Sequence, residues 1–157
     1  GLQEAIPGKV SQVNYEDRTE YAIVIRQPTE ARGRASRAGP RRVRRYLLRK
    51  LPEGRRWAGL WDFPRTTEHS FASVGAAADG LSAEVGVSFE VGSRIATIRH
   101  GVTRYRIELH VHEASWTDPV LNPPPPWRFV SLKQLATLPM SVTGRKIASL
   151  LQRQIDS

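Results

Sequence analysis

The chain has 157 residues, of which 39% are apolar, and this is enough for the core of one globular domain. Mean hydropathy is −0.42 and no apolar run approaches the roughly 20 residues of a membrane span, so a helical membrane protein is not expected. The sequence has no cysteine, which excludes disulfides and thiolate-bound zinc or iron–sulfur centres within these residues.

The charge balance is strongly basic: 24 Lys and Arg face 15 Asp and Glu, and 20 of the 24 cations are Arg. Arginine pairs two-pronged with phosphate and stacks on bases, so the bias favours a nucleic-acid partner. A high-GC genome predicts the same bias without any binding role, and composition leaves both explanations open.

Thirteen of these cations lie between Arg26 and Arg65, against three acids. Residues 29–45 are rich in Arg, interrupted by Gly and Pro, and almost free of apolar side chains, which predicts a flexible basic loop. Arg41, Arg42 and Arg44 lie in this loop and are candidate DNA-binding residues, because such a loop neutralises phosphates without reading bases. A solvated loop without a role is the alternative.

Along the chain, residues 1–17 are predicted to be a linker or the tail of a preceding domain, and residues 18–157 a single domain. Residues 20–26 and 44–50 are short β-rich runs that predict two strands. We expect them to pair as a hairpin joined by the basic loop.

A turn over residues 51–56 leads into Trp57–Pro64, where three aromatic residues and a glycine stand within eight positions. A helix is then predicted after Ser70, with Gly86 as its C-terminal stop. Its apolar stripe follows the helical rhythm: Phe71, Val74, Ala78, Leu81, Val85.

Two further strands are predicted over residues 93–98 and 104–112, the second from its strict alternation of apolar and polar side chains. Residues 99–103 between them predict a turn. His110 and His112 share one face of the second strand, but two histidines without a third ligand are a weak signal for a metal.

The proline-rich run 122–127 predicts an extended connector, and residues 127–130 a strand. Ser131 and Gln134 form a capping box that opens a helical turn. Ser141 is the predicted cap of a last helix with apolar positions at Ile147, Leu150, Leu151 and Ile155. The order of elements indicates an α+β fold.

The segment Gly59-Leu-Trp-Asp-Phe-Pro64, preceded by an Arg-rich strand and followed by a helix ending Glu84-Val-Gly-Val87, resembles the Nudix fold. More narrowly, it resembles the C-terminal domain of the MutY family of adenine DNA glycosylases. The Arg99-His100 pair and the ending over residues 138–142 also fit, and the resemblance covers residues 18–155. It implies a Nudix-like α/β/α sandwich with a mixed β-sheet and flanking helices.

Nudix hydrolases hold magnesium with glutamates in the pattern G-x5-E-x7-R-E-U-x-E-E-x-G-U, where U is apolar. Aligning this pattern on Gly86 places Gly80 and Ala83 where two glutamates are required, and Asp79 in place of the arginine. Glu84 alone remains of that cluster. The resemblance therefore implies a scaffold without the hydrolytic chemistry, and no catalytic residue or metal ligand is expected in this chain.

In the MutY family the turn between the two later strands commonly reads Phe-Ser-His and contributes to 8-oxoguanine recognition. Val102, Thr103 and Arg104 are the matching positions here. Thr103 keeps a hydroxyl for a base edge, Val102 is a smaller apolar wedge, and Arg104 favours a phosphate or a guanine-like edge. With Arg99 and His100, these are the candidate DNA-binding residues of the turn.

The resemblance implies a DNA-binding, 8-oxoguanine-recognising domain of an adenine DNA glycosylase that acts in base excision repair. Its partner would be double-stranded DNA containing 8-oxoguanine. This chain would carry no cofactor, and an iron–sulfur cluster is expected in an N-terminal domain of the parent protein. The expected location is the bacterial cytoplasm, in association with the nucleoid.

Two alternatives remain open. One is a free-standing, divergent Nudix hydrolase acting on nucleotides. The other is an interaction module that docks a clamp or another repair or replication protein through the proline-rich or Arg-rich loop.

Overall fold

A computed structural model describes residues 14–28, 43–54, 57–66 and 71–156. Within these ranges the chain forms six strands and three helices. In chain order they are β1 (Glu16–Ile25), β2 (Arg45–Lys50), β3 (Trp61–Asp62), α1 (Val74–Val85), β4 (Phe89–Val102), β5 (Tyr105–Trp116), β6 (Arg128–Ser131), α2 (Leu132–Leu135) and α3 (Val142–Asp156). None of the described helices is long and apolar enough to cross a membrane.

The first sheet is mixed, with the strand order β1-β5-β4. β1 runs parallel to β5 from the pair Glu16–Tyr105 to the pair Ile25–Ala114, and β4 and β5 form an antiparallel hairpin. The predicted alternation in β5 is confirmed: Ile107, Leu109 and Val111 are buried, and the residues between them are more exposed.

The second sheet is antiparallel, in the order β3-β2-β6. The predicted hairpin between β1 and β2 is wrong, because these strands lie in different sheets and meet at the bridge Arg26–Tyr46. The reason is competition for the edges of β1: β5 takes one edge, and residues 64–66 pair with the other through the bridge Ala22–Arg65. The basic loop that was expected to join the hairpin lies mostly outside the described residues.

The core has two parts, one on each face of the mixed sheet. Residues 22–25 of β1 are all buried, and their side chains alternate between the faces. On one face, Ala22 and Val24 pack with Ile147 and Leu151 of α3. On the other, Ile23 and Ile25 pack with residues of α1 and with Trp127. Helices therefore cover both faces, and the predicted α+β sandwich with a mixed sheet is confirmed.

The helix ends follow local capping chemistry. α1 begins one residue after Ser73, rather than after the predicted Ser70, and the Ser73 hydroxyl accepts from the Ala76 amide at 3.2 Å. It ends at Gly86, whose φ of 85° is the left-handed conformation that favours glycine. The capping box at Ser131 is confirmed, and Ser141 caps α3 by accepting from the Gly144 amide at 3.1 Å.

Two predicted apolar positions and one predicted boundary differ from the structure. Ala77 is the buried alanine of α1, while Ala78 is only half-buried. Ile155, expected on the apolar side of α3, is exposed. β1 begins at Glu16, so the predicted linker boundary between residues 17 and 18 falls inside a strand. The linker assignment of residues 1–13 lies outside the described residues and stays a prediction.

A buried ion pair links these elements. Arg65 Nε lies 3.1 Å from Asp62 Oδ2, its Nη2 donates to Asp62 Oδ1 at 3.2 Å, and both side chains are almost fully buried. The Phe63 amide also donates to Oδ1. Burial raises the pKa of Asp62, and the Arg65 guanidinium and the Phe63 amide oppose that rise. A Cβ at Gly144 would stand 3.3 Å from Oδ1, so the carboxylate lies against the first turn of α3.

Replacing Asp62 by Ala should lower the free energy of unfolding by about 3–5 kcal/mol, because it leaves the Arg65 guanidinium buried without its carboxylate. Urea unfolding followed by circular dichroism measures this change. The matched control is Asp62→Leu combined with Arg65→Met, which removes both charges and should cost less than half as much. Equal losses in the two proteins would show that lost packing, not the orphaned charge, is responsible.

Candidate functional site

The β4–β5 hairpin has a tighter turn than the sequence suggested. Residues 99–102 are not a turn but the last residues of β4, and the turn consists of Thr103 and Arg104. Arg99 pairs with Glu108 and His100 with Ile107 across the hairpin. The prediction failed because Gly101 was interpreted as a turn residue, whereas it continues the strand opposite Arg106.

Thr103 and Arg104 form an exposed tip. Thr103 has a φ of 55°, which is the left-handed region and is costly for a β-branched residue. The Arg104 carbonyl accepts from the Glu16 amide at 2.9 Å, which fixes the tip to the start of β1. Both side chains are exposed, so a hydroxyl and a guanidinium face solvent on a short, braced turn. Of Val102 only the backbone is described.

Arg99 and His100 lie on opposite faces of β4. Arg99 is 76% exposed, and its Nη2 donates to Glu108 Oε2 at 2.9 Å. Glu108 Oε1 accepts from His110 Nε2 at 2.8 Å, and this hydrogen bond, with Arg99, lowers the pKa of Glu108. The ionised Glu108 therefore favours the folded state above its usual pKa, and that contribution is lost as the pH falls through the lowered value. His100 is half-buried.

The predicted DNA-binding residues do not form one cluster. The Arg45 carbonyl, next to Arg44, accepts from the Gln27 amide beyond the C-terminal end of β1. The Arg104 carbonyl is bonded at the N-terminal end of the same strand. Because β1 has ten residues, the two ends are about 30 Å apart. Arg44 is exposed but distant from the turn, and Arg41 and Arg42 lie outside the described residues.

The structure adds residues to the turn that the sequence did not indicate. The Arg106 guanidinium lies 5.5 Å from the ring centroid of Tyr15, and that of Arg18 lies 4.1 Å from the ring of Tyr105. Tyr15 is 51% exposed. We call this surface the hairpin end; its members are Tyr15, Arg18, Thr103, Arg104, Tyr105 and Arg106. No local signal could identify it, because the parallel pairing of β1 with β5 joins residues about ninety positions apart.

A cavity of about 610 Å³ adjoins the hairpin end. Arg99 and Arg106 stand on its walls, with Gly101 between them, and Thr19 also lines it. Arg106 Nε lies 3.1 Å from Asp17 Oδ1, so carboxylates orient both guanidiniums before any ligand arrives. These pairs are exposed, and exposed pairs contribute little to stability and exchange readily for a phosphate or a base edge.

The hydrolase pattern places its glutamates on α1, but in this chain the corresponding positions make packing and ion-pair contacts. Glu84 Oε2 accepts from Arg49 Nη2 at 2.6 Å, and the Arg49 guanidinium also lies 4.7 Å from the ring centroid of Trp127. A Cβ at Gly80 would stand 3.0 Å from the Phe71 ring, so an aromatic side chain covers the position where the hydrolase pattern has a glutamate.

These residues do not fit the magnesium site that the hydrolase pattern requires. Mg²⁺ needs several oxygen ligands in near-octahedral geometry. Here Gly80 and Ala83 supply none, and the remaining carboxylate, Glu84, is held by Arg49. Within the described ranges, Asp, Glu, His and Cys form no group of three that could hold a metal.

Comparison with known proteins agrees with this fold. Residues 40–150 match the family described as NUDIX domain. No curated protein matches at a significant level.

Several solved structures are similar. A Nudix hydrolase from M. smegmatis, RenU, has a TM-score of 0.61 and 20% identity, over 88% of this chain and 86% of that one. The C-terminal domain of mouse MUTYH, solved in complex with human PCNA, has a TM-score of 0.61 and 19% identity, over 88% and 90%. The MutT protein from Methanosarcina mazei has a TM-score of 0.65 and 17% identity, over 91% of this chain and 98% of that one. Identities this low show a shared fold alone.

Replacing Thr103 by Asn should raise the free energy of unfolding by about 0.5–1 kcal/mol, because asparagine adopts the left-handed conformation at lower cost. Thermal and urea unfolding measure the gain. The control is Thr117→Asn, at a threonine that has no positive φ, which should leave stability within about 0.5 kcal/mol of the parent. A loss of stability in Thr103→Asn would contradict the assignment of strain to this turn.

Proposed function

Because the chain belongs to the NUDIX domain family, we propose that it uses the Nudix scaffold to bind DNA rather than to hydrolyse nucleotides. The specific role is that of the C-terminal domain of a MutY-like adenine DNA glycosylase, which recognises 8-oxoguanine opposite adenine in duplex DNA. The observation that carries this proposal is the hairpin end, where an exposed hydroxyl and an exposed guanidinium stand on a braced turn beside an exposed tyrosine.

The chemistry of the hairpin end suits a damaged base pair. The Thr103 hydroxyl can donate or accept at a base edge, and Arg104 can pair with a purine edge or a phosphate. Tyr15 offers a ring face for stacking, and Arg106 beside it adds positive charge. The Glu16–Arg104 hydrogen bond limits the motion of the tip, so less conformational entropy is lost when DNA binds.

In this proposal the parent protein cleaves the bond to adenine elsewhere. Its catalytic carboxylates and iron–sulfur cysteines would lie in an N-terminal helical domain, where the flipped adenine loses its N-glycosidic bond to water. The present chain would hold no cofactor and would add affinity and discrimination for the oxidised base. Such a protein would act on the bacterial nucleoid, in the cytoplasm.

The test is a titration of the chain with fluorescent duplexes that contain either an 8-oxoguanine·A or a G·A pair. We expect tighter binding to the oxidised duplex, and a loss of about tenfold with Arg104→Ala, as for a guanidinium that contacts a base edge. Arg153→Ala, which removes an exposed guanidinium from the far end of α3, is the matched control and should bind like the parent.

Thr103→Ala should reduce the preference for 8-oxoguanine while leaving affinity for the G·A duplex almost unchanged, because the hydroxyl serves base recognition rather than phosphate contact. If the chain shows no preference for the oxidised duplex, either alone or joined to its N-terminal domain, the recognition role is wrong.

The second candidate function is hydrolysis of nucleoside diphosphate derivatives. It is favoured by the fold itself, since RenU is described as a Nudix hydrolase. It is opposed by the Arg49–Glu84 pair and by Gly80 and Ala83.

We expect no phosphate release above background when nucleoside di- and triphosphates are incubated with the chain and Mg²⁺. A colorimetric phosphate assay with inorganic pyrophosphatase added, so that released pyrophosphate is also counted, measures this, with Glu84→Gln as the control for metal-dependent chemistry in α1. Release that depends on both Mg²⁺ and Glu84 would replace the DNA-binding proposal with a hydrolase.

Protein partners form a further part of the proposal. The mouse MUTYH domain was solved in complex with human PCNA, and that likeness supports a role for this chain in docking a repair or replication protein.

A further inference from the structure

A groove of about 670 Å³ lies between α3 and β4, away from the hairpin end. Three successive strand residues, Ala96, Thr97 and Ile98, form one wall. Successive strand residues point to opposite faces, so a groove that touches all three follows the edge of the strand rather than one face of the sheet. The other wall is α3.

The strand at this groove has an open edge. β4 is the terminal strand in the order β1-β5-β4, and none of the described strands pairs with its outer side. Proteins usually protect such edges with charges or irregularities. The first half of β4 has both, because its register shifts between Val91 and Ala96 and Arg94 lies there. Residues 95–98 are uncharged, and from Ala96 onward the strand is regular.

The groove has an apolar floor and a positive rim. Its apolar part includes Ile98, Leu150 and Val142, and Val142 is 72% exposed, the highest value among the exposed large hydrophobic residues. Lys146 and Arg153 are exposed on the rim, and none of the acidic side chains in the described ranges lines the groove. The third cation of the lining, Arg145, donates to the carbonyls of Leu135 and Leu138 and so serves the fold.

The distance between the two rim cations matches the length of a short extended segment. Lys146 and Arg153 are seven helical residues apart, or about 10 Å along α3. An added strand advances by about 3.3 Å per residue, so acidic residues about three to four positions apart in it, roughly 10–13 Å, can contact the two cations.

We propose that this groove binds an extended, acidic segment of a partner protein, which adds to the free edge of β4 as a strand. Backbone hydrogen bonds to the edge would supply affinity, alternate apolar side chains would contact Ile98, Val142 and Leu150, and flanking carboxylates would pair with Lys146 and Arg153. The surface is separate from the hairpin end, so this proposal does not depend on DNA recognition.

Two other occupants fit the groove less well. DNA phosphates would be attracted by the rim but would gain nothing from an apolar floor or a strand edge. A second copy of the chain that paired edge to edge through β4 would bring the same cations together, since a two-fold interface joins identical patches. An extended acidic peptide can hydrogen-bond to the strand edge, contact the apolar floor and pair with the rim cations at the same time.

The experiment uses a fluorescent seven-residue peptide with two acidic residues at each end and Val-Thr-Val between them, so that the inner acidic residues stand four positions apart. Its control has the same centre and lysines at the ends. Fluorescence anisotropy with the whole chain should show binding of the acidic peptide, and affinity at least about tenfold lower for the lysine peptide, since two attractive contacts become repulsive.

Lys146→Glu combined with Arg153→Glu should weaken binding of the acidic peptide about tenfold and improve binding of the lysine peptide. Lys133→Glu, which reverses an exposed cation on α2, is the matched control and should change neither. The double variant should keep its melting temperature and its preference for the 8-oxoguanine·A duplex over the G·A duplex, so failure of this proposal is distinguishable from failure of the DNA-binding role.

Backbone methylation of the peptide tests strand addition directly. An added strand presents every second N–H to the sheet edge, so N-methylation of one alternate set should abolish binding and that of the other set should not. Equal binding of the two methylated peptides would overturn strand addition. Equal binding of the acidic and lysine peptides, displacement of the acidic peptide by duplex DNA, or a dimer that the double variant loses would each overturn the proposed occupant.

Discussion

The parallel pairing of β1 with β5 is the constraint on which most of this structure depends. It covers one edge of β1 while residues 64–66 cover the other, and residues 22–25 are buried between the layers that contain α1 and α3. The same pairing brings the start of β1 beside the β4–β5 turn, and it thereby creates the hairpin end. One register of strand pairing therefore sets both the layering of the core and the composition of the candidate site.

The Asp62–Arg65 pair closes the opposite edge of β1. Residues 64–66 reach β1 through the bridge Ala22–Arg65, and the Tyr21 amide donates to the Thr66 hydroxyl at 2.9 Å. The aromatic segment that ends at Pro64 thus connects the antiparallel sheet to the mixed one. A buried pair of this kind adds little net stability but strongly disfavours arrangements that separate its partners. In this chain it fixes the segment between the sheets and the start of α3.

The sequence allowed most local structure to be predicted, because local structure follows from neighbouring residues. The strands at 20–26 and 44–50, the stop at Gly86, the capping box at Ser131 and the alternation in β5 all depend on residues a few positions apart. The partner of β1 does not: nothing in residues 20–25 specifies that their neighbour is residues 109–114 rather than 44–50. The β1–β2 hairpin was predicted because the two strands are near each other in the chain. The structure instead pairs β1 with β5, and residues 22–25 are buried on both faces.

The candidate site also has residues that the sequence indicates and residues that only long-range pairing brings together. Thr103 and Arg104 were found from a resemblance in sequence, whereas Tyr15 and Arg106 required the long-range pairing to bring them together. Residues 14–17 are polar and short of local pattern, so they were assigned to a linker. Likewise, the loss of the hydrolase carboxylates could be predicted from Gly80 and Ala83, but the use of Glu84 as a partner of Arg49 could not.

The structure also changes the meaning of the arginine bias. Composition offered two explanations, nucleic-acid binding and genome composition, and the described residues supply a third. Five arginines lie over aromatic rings: Arg18, Arg49, Arg65, Arg106 and Arg128. Four of them, Arg18, Arg49, Arg65 and Arg106, also form ion pairs with acidic side chains. A planar guanidinium can stack on a ring while its edge hydrogen-bonds a carboxylate, and lysine cannot do both.

Part of the positive charge among the described residues therefore serves the fold rather than a contact surface. Exposed cations such as Arg44, Arg94 and Lys133 lie outside the two candidate surfaces, whereas Arg104 and Arg106 belong to the hairpin end, and Lys146 and Arg153 to the rim of the groove. Net charge attracts an anionic partner over the whole molecule, but it does not select where that partner binds. Selection requires an apolar or aromatic neighbour beside the charge, and the hairpin end and the groove both have one.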